Sequence, residues 1–227
     1  NFAISKTKGK YLARMDADDI MFPDRIEKQI KFLQKNPGVV IVGGQCQLID
    51  REGNLIGKKT FPTRNTDLYK MAFRSMPIQQ PTMMINTKLL PKNFSWYVDK
   101  FKPADDLDLF FRLFNFGLFA NLPDFVLKYR MHKTNISLVN PKRTFFLTYE
   151  IRKRAVELYN FKPVFGSKLI NYFQYLAISI LPNFLIYPMF VFWRGLMPVW
   201  SLLPNISLKS FFQFTPSQSE ASNANLA

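Results

Sequence analysis

The sequence predicts an α/β fold: a mixed-direction sheet flanked by helices, followed by a helical, hydrophobic C-terminal region. Three observations carry this. A strand-like run at residues 10–15 (KYLARM) leads through an amphipathic helical stretch to the β-branched run Val39-Val40-Ile41-Val42, the strand–helix–strand order of an α/β sheet. A hairpin signal follows, Leu48-Ile49, the turn Arg51-Glu52-Gly53-Asn54, then Leu55-Ile56, and it adds antiparallel pieces to the same sheet. After about Asn140 the composition turns basic and then uncharged and apolar.

The elements follow in order. Residues 10–15 read as a strand ending in Asp16-Ala17-Asp18-Asp19. Pro23 opens a helix, where its missing N–H costs nothing. Ile26, Ile30 and Leu33 fall at helical spacing with charges between them, and Asn36-Pro37-Gly38 stops the run. Residues 39–42 form a buried, parallel-type strand. Thr66 caps a short helix reaching Phe73, and residues 82–85 form another strand. Residues 105–116 form a helix with Leu109, Phe110, Leu113 and Phe114 inward. Gly117 ends it, and residues 125–129 are a strand. Residues 144–159 form a basic amphipathic helix, and the Ser- and Asn-rich tail from Thr215 is disordered. The expected division is an α/β unit over 1–140, a basic and hydrophobic helical region over 141–214, and a tail over 215–227.

Composition bounds the function. The chain has 227 residues, 48% hydrophobic and 21% charged, with 24 Phe, which excludes a disordered chain. The one cysteine, Cys46, excludes an internal disulfide framework and a multi-cysteine metal site, and reads as a buried apolar residue. Lys and Arg number 31 against 16 Asp and Glu, a formal net charge of +15. A surface this basic attracts anions, whether nucleotide phosphates, acidic lipid headgroups or nucleic acid.

The carboxylates Asp16 and Asp18 stand two apart at a strand end, so their side chains face one side. Such a pair repels itself unless a cation intervenes. Carboxylates are hard oxygen ligands suited to Mg²⁺ or Mn²⁺, which complete their shells with water and substrate phosphate. Open α/β sheets bind ligands beyond their strand C-termini. The same string also fits a helix cap or a turn filler. A phosphatase-type nucleophile fits less well, because Ile20 stands where Thr or Val is usual.

The surrounding residues narrow this. Asn1-x-Ala3-Ile4, the string KGKYLARMDADDI over residues 8–20, and PDRIEKQ over 23–29 resemble glycosyltransferase family 2. Three later segments agree in order: Val42-Gly43-Gly44 with Ile49-Asp50 and Gly53, ADDLDLFFRL over 104–113, and Tyr129-Arg130-x-His132 with Ile136-Ser137. The resemblance covers roughly residues 1–137. It implies a GT-A (Rossmann-like) fold and inverting transfer from a nucleotide-sugar donor to a saccharide or lipid-linked acceptor. It also implies a role for each matching residue. Asp16 faces the donor ribose and diphosphate, Asp18 is the direct metal ligand, and His132 lies near the metal. Arg130 is a donor-side cation, and Asp106 is the catalytic base. Asp105 and Gln80 stand on the acceptor side. Two departures appear: Asp105 replaces the usual Glu, and Gln80-Pro81-Thr82 stands where His-Pro-Ser is frequent. The family's first strand and base-binding loop have no counterpart here, so the chain is expected to hold half of a donor site, to bind donor poorly or not at all, and to be inactive alone.

A helix start lowers the pKa of Asp106 through the helix dipole, whereas Asp105 and Asp108 raise it by like-charge repulsion. The three acids also read as the favourable acidic first turn of a helix, and His132 also reads as a structural hydrogen bonder. A glycoside hydrolase, which uses paired carboxylates too, leaves the strand-end motif unexplained.

Residues 169–193 carry no formal charge and are flanked by Lys162, Lys168 and Arg194. A bilayer span needs about 20 such residues. Pro182 and Pro188 interrupt the run, and Asn171, Gln174 and Asn183 are polar. An in-plane or re-entrant contact with an anionic membrane surface is expected ahead of a full span or a buried helical subdomain, at the cytoplasmic face of a bacterial plasma membrane. Aromatic residues interleave with Lys and Arg over 142–159, as in base-stacking proteins. No nucleic-acid recognition motif accompanies them, so no nucleic-acid partner is expected. The competing reading within the fold is a catalytically inactive scaffold.

Overall fold

A computed structural model describes residues 1–131, 140–182, 185 and 186. A short helix α1 (Phe2–Ser5) precedes β1 (Tyr11–Ala13) and β2 (Ile20–Met21). Next come α2 (Arg25–Lys35), β3 (Val39–Ile49), β4 (Leu55–Lys59) and α3 (Asn65–Ala72). Then follow β5 (Met84–Asn86), α4 (Asp105–Leu113) and β6 (Leu118–Arg130). The last two are α5 (Pro141–Leu158) and α6 (Phe165–Ile180).

The sheet order is β1-β5-β3-β6-β2, with β4 paired to β3. Strand β3 runs parallel to β6 and antiparallel to β5 and β4. It is central and buried almost throughout, which is why its apolar run is near-continuous rather than alternating. One sheet face packs Val40, Ile41 and Ile85 against Leu68 of α3 and Leu109, Phe110 and Leu113 of α4. The other packs Val42, Cys46, Met84 and Val126 against Leu33 of α2. A third cluster joins Leu107 and Phe111 of α4 to Ile151 and Ala155 of α5 and to Phe161.

Local chemistry moves several boundaries. Helix α2 starts at Arg25 rather than Pro23, because Phe22 still donates its N–H to Val126 O at 3.1 Å. Helix α3 starts at Asn65, before Thr66, and the Asn65 carbonyl oxygen accepts from the Phe119 N–H at 2.8 Å instead of capping the helix. The strand expected over 82–85 forms at Met84–Asn86, because Thr82 closes a 3₁₀ turn over Gln80–Thr82. Helix α5 begins at Pro141, three residues ahead of Thr144, because the Asn140 side chain accepts from the Arg143 N–H at 3.0 Å. Strand β6 extends to both sides of residues 125–129.

The hairpin forms as expected. Gly53 takes φ +95°, and the Asp50 carboxylate accepts from both the backbone and side-chain nitrogens of Asn54. Gly43 has the opposite constraint: a Cβ there would lie 2.3 Å from Asn121 Oδ1 and 2.5 Å from Ile78 Cγ2. Residues 187–227 and 132–139 lie outside the described residues, and with them the Thr215 tail, most of the late hydrophobic run, His132 and Ile136-Ser137.

Candidate active site

The Asp16–Asp19 turn carries the chain from β1, at one end of the sheet order, to β2 at the other. Its base is fixed by buried polar groups. Arg14 donates its N–H to Met83 O at 3.0 Å. Arg25, 1% exposed, donates through Nη2 to Arg14 O at 2.8 Å and through Nε to Gln29 Oε1 at 3.1 Å. Gln29 in turn donates to Thr82 O at 2.7 Å and Val42 O at 3.2 Å. Burial pulls the Arg25 guanidinium down to a pKa of about 10, against the nearby charge of Asp19.

Within the turn the three carboxylates differ. Asp16 is half-buried and ion-paired with the Arg14 guanidinium. Asp18 is exposed. Asp19 is buried, and its Oδ1 accepts from the Arg130 N–H at 2.9 Å. Its Oδ2 has no hydrogen-bond partner among the described residues. Burial pushes the Asp19 carboxyl up to a pKa of about 7, partly opposed by the Arg130 N–H and reinforced by Asp16 and Asp18.

Arg130 ties the turn to the hairpin. Its Nε donates to Asp18 O at 2.8 Å, and its Nη1 to Asp50 O at 2.8 Å and Arg51 O at 2.6 Å. This guanidinium is therefore a clamp on backbone carbonyls.

The acidic start of α4 lies across from the turn. Burial alone would lower the Arg14 pKa, but the hydrogen bond and charge of Asp16, with further help from Asp106, hold it above the usual value. Burial raises the pKa of Asp105, which Lys102 and Arg14 oppose. Oδ1 of Asp106 accepts from the Leu107 N–H at 2.8 Å. Tyr97 stands beside them: Gln80 Nε2 donates to its hydroxyl at 3.2 Å, and burial pushes its pKa up to about 12, against the pull of Arg14. Asp16, Gln80, Asp105 and Asp106 thus gather around Arg14 and Tyr97. Asp108 does not join them: fully buried, it is paired with Arg112 Nε at 2.9 Å.

No group of three His, Cys, Asp or Glu side chains able to hold a metal ion is present among the described residues. The donor set instead fits a hard cation that takes one or two protein carboxylates and completes its shell from diphosphate and water.

Against this geometry, a sequence model described as "Glycosyl transferase family 2" matches residues 1–94. The chain is 29% identical over 196 residues to an uncharacterized glycosyltransferase of Methanocaldococcus jannaschii, covering 82% of this chain and 66% of that protein. It is 31% identical over 135 residues to the O-antigen biosynthesis glycosyltransferase WbnJ of Escherichia coli, covering 58% and 52%. Over its first 94 residues the chain is similar to glycosyl transferase family 2. The amylovoran biosynthesis glycosyltransferase AmsE of Erwinia amylovora is a further relative, 28% identical over 163 residues, covering 71% of this chain and 58% of that protein. The chain spans two-thirds or less of the length of these relatives.

The crystal structure of S. aureus TarS 1-349 matches with TM-score 0.54 at 15% identity, covering 90% of this chain and 59% of that one. This likeness shows a shared fold, the GT-A-like mixed sheet flanked by helices. Within that fold, Arg14, Arg25, Gln29 and Tyr97 are the site residues that sequence reading missed. The spacing of Arg25 and Gln29, four apart beside Ile26 and Ile30, was the available signal for a buried polar stripe. Arg14 and Tyr97 had none, because only the fold brings residues 14, 80, 97 and 106 together.

Proposed function

We propose that this chain carries the metal–diphosphate site and acceptor side of an inverting glycosyltransferase. The enzyme moves a sugar from a nucleotide-diphosphate sugar to a hydroxyl of a cell-surface polysaccharide or glycolipid acceptor. The observation that carries this reading is the gathering of Asp16 and the acidic start of α4 around Arg14. The relatives named for O-antigen and amylovoran biosynthesis support the polysaccharide class.

Asp18 is the ligand for Mg²⁺ or Mn²⁺, with His132 as a second, and Asp16 faces the donor. Once bound, the cation acts as a Lewis acid that neutralises charge on the departing nucleoside diphosphate. Asp106 takes the proton of the acceptor hydroxyl as its oxygen attacks the anomeric carbon. The bond from that carbon to the diphosphate oxygen breaks, and the configuration inverts. Asp105 and Gln80 orient the acceptor. Arg130 keeps the Asp16–Asp19 turn in register through its carbonyl contacts, so its donor-side role is to hold the loop that meets the diphosphate.

The C-terminal helices support a membrane contact. No described helix is long and apolar enough to cross a membrane. Helix α6 buries Ser167, Asn171 and Ile178, while the large apolar side chains of Phe165, Leu169, Tyr172, Phe173 and Ile180 are exposed on the opposite side. No Asp or Glu occurs between Glu157 and Glu220. An apolar face in basic surroundings fits an interfacial helix on anionic lipid, which suits a lipid-linked acceptor at the cytoplasmic face of a membrane.

The test is sugar transfer from uridine-, thymidine- and guanosine-diphosphate sugars, supplied with membrane lipid extract and Mn²⁺, by the chain extended to the length of its relatives. Asp106→Asn is expected to abolish transfer while sparing donor binding. Unchanged transfer in Asp106→Asn contradicts the base assignment, and absence of donor binding in the wild type favours the inactive-scaffold reading.

A further inference from the structure

Asp108 follows Asp106 by two residues on α4 but points into the protein, where it is fully buried. A buried carboxylate is costly unless both oxygens find strong partners. Its Oδ2 accepts from Arg112 Nε at 2.9 Å, and its Oδ1 accepts from the Tyr159 hydroxyl at 3.0 Å. Tyr159 ends α5, so one oxygen belongs to the α/β unit and the other to the C-terminal helices.

Arg112 carries the connection onward. Its two terminal nitrogens donate to the carbonyls of Ser95 and Trp96, and its guanidinium lies 5.5 Å from the centre of the Phe94 ring. A planar fork that meets a carboxylate on one edge and two carbonyls on the other fixes orientation as well as distance. The held segment leads directly into Tyr97, which accepts from Gln80 and stands beside Asp105 and Asp106. Tyr97 is further bracketed by Asn1, which accepts from its N–H at 3.0 Å and donates to its carbonyl at 2.8 Å.

We propose that Asp108, Arg112 and Tyr159 form a positioning relay through which the C-terminal helix pair sets the segment 94–97 that walls the acceptor side. None of the three touches substrate. They act through the backbone of Ser95 and Trp96. The acceptor label rests on the function proposed above, whereas the mechanical link from Tyr159 to Trp96 does not.

The test uses the full chain with Trp193→Phe and Trp200→Phe, which leaves Trp96 as its only tryptophan. Acrylamide quenching of Trp96 is measured with and without Tyr159→Phe, a change that removes one hydroxyl and keeps the ring. Loss of a charge-assisted bond loosens the segment locally, and the quenching constant is expected to rise about twofold with the circular dichroism unchanged. Asp108→Asn is expected to raise it at least as much. Trp96 quenching unchanged in both variants overturns the relay, even if thermal stability falls. The measurement needs no substrate, so it is independent of whether sugar transfer is found. Where transfer is found, Tyr159→Phe is expected to raise KM for acceptor and not for donor, and the reverse pattern overturns the acceptor-side assignment.

Discussion

The backbone N–H of Arg130 donates to Oδ1 of Asp19 at 2.9 Å, tying the end of the last strand to the turn that bears Asp16 and Asp18. The third acid of the motif is thus a structural anchor, buried where Asp16 is half-buried and Asp18 exposed. Asp19→Asn keeps an oxygen acceptor for this N–H, and Asp19→Ala removes it. Both variants are neutral, so their difference isolates the bond. Asp19→Ala is expected to be less stable than Asp19→Asn by about 1–3 kcal/mol, the usual cost of orphaning a buried donor. Urea denaturation of the two variants in EDTA measures it, and equal midpoints count against the anchor.

Gly43 tests the packing of the sheet centre. Its missing Cβ leaves room for Asn121 Oδ1 and Ile78 Cγ2. Asn121 is itself held, donating to Pro62 O at 2.9 Å and Pro77 O at 3.1 Å. Gly43→Ala therefore has little room to relax and is expected to cost about 1–3 kcal/mol as overpacking. A denaturation midpoint unchanged from wild type would show that β3 and β6 separate more readily than the geometry implies.

Cys46 is fully buried, and burial pushes its thiol up to a pKa of about 12. The thiolate is the reactive form. Native protein at pH 8 is expected to resist a thiol-disulfide reagent over minutes, with one equivalent reacting at once in denaturant. Fast native reaction would mean that the core on the α2 face opens.

The exposed face of α6 makes a membrane prediction. Phe165 is 78% exposed and Phe173 58%. Each Phe that enters a lipid interface contributes roughly 1.5–3 kcal/mol, so Phe173→Ala is expected to weaken binding to phosphatidylglycerol vesicles by about tenfold or more. Co-sedimentation reads this. Failure of the wild-type chain to bind, with full recovery in the soluble fraction at low salt without detergent, contradicts the membrane contact.

The sequence pattern disclosed the elements whose signals are local. The run 39–42, the Gly53 hairpin and the start of the helix at Asp105 were readable because period, turn chemistry and first-turn charge act over a few residues, whereas that helix stops at Leu113, short of the expected Phe116 and Gly117. The reach of β3 to Ile49 and of β6 to Arg130 was not. Gly43-Gly44 and Pro123 look like interruptions, and pairing between the two long strands carries them through. Burial of Arg25 and Gln29 likewise overrode the assumption that charges mark a solvated face. At the site, the acids themselves were legible. Their partners were not, because Arg14 meets Asp16 locally but meets the start of α4 only after the chain has folded. Asp108, grouped by sequence with Asp105 and Asp106, separates from them because the helical turn aims it at Arg112 and Tyr159.

The central claim is that the Asp16–Asp18 strand end holds a divalent cation together with a diphosphate. It is tested most directly by titrating the chain with Mn²⁺ and inorganic pyrophosphate, followed by electron paramagnetic resonance of the free ion. Pyrophosphate needs no base-binding loop. The expected result is Mn²⁺ uptake that requires pyrophosphate and is lost in Asp18→Ala. Equal uptake by wild type and Asp18→Ala, or no uptake by the folded wild type, contradicts the account.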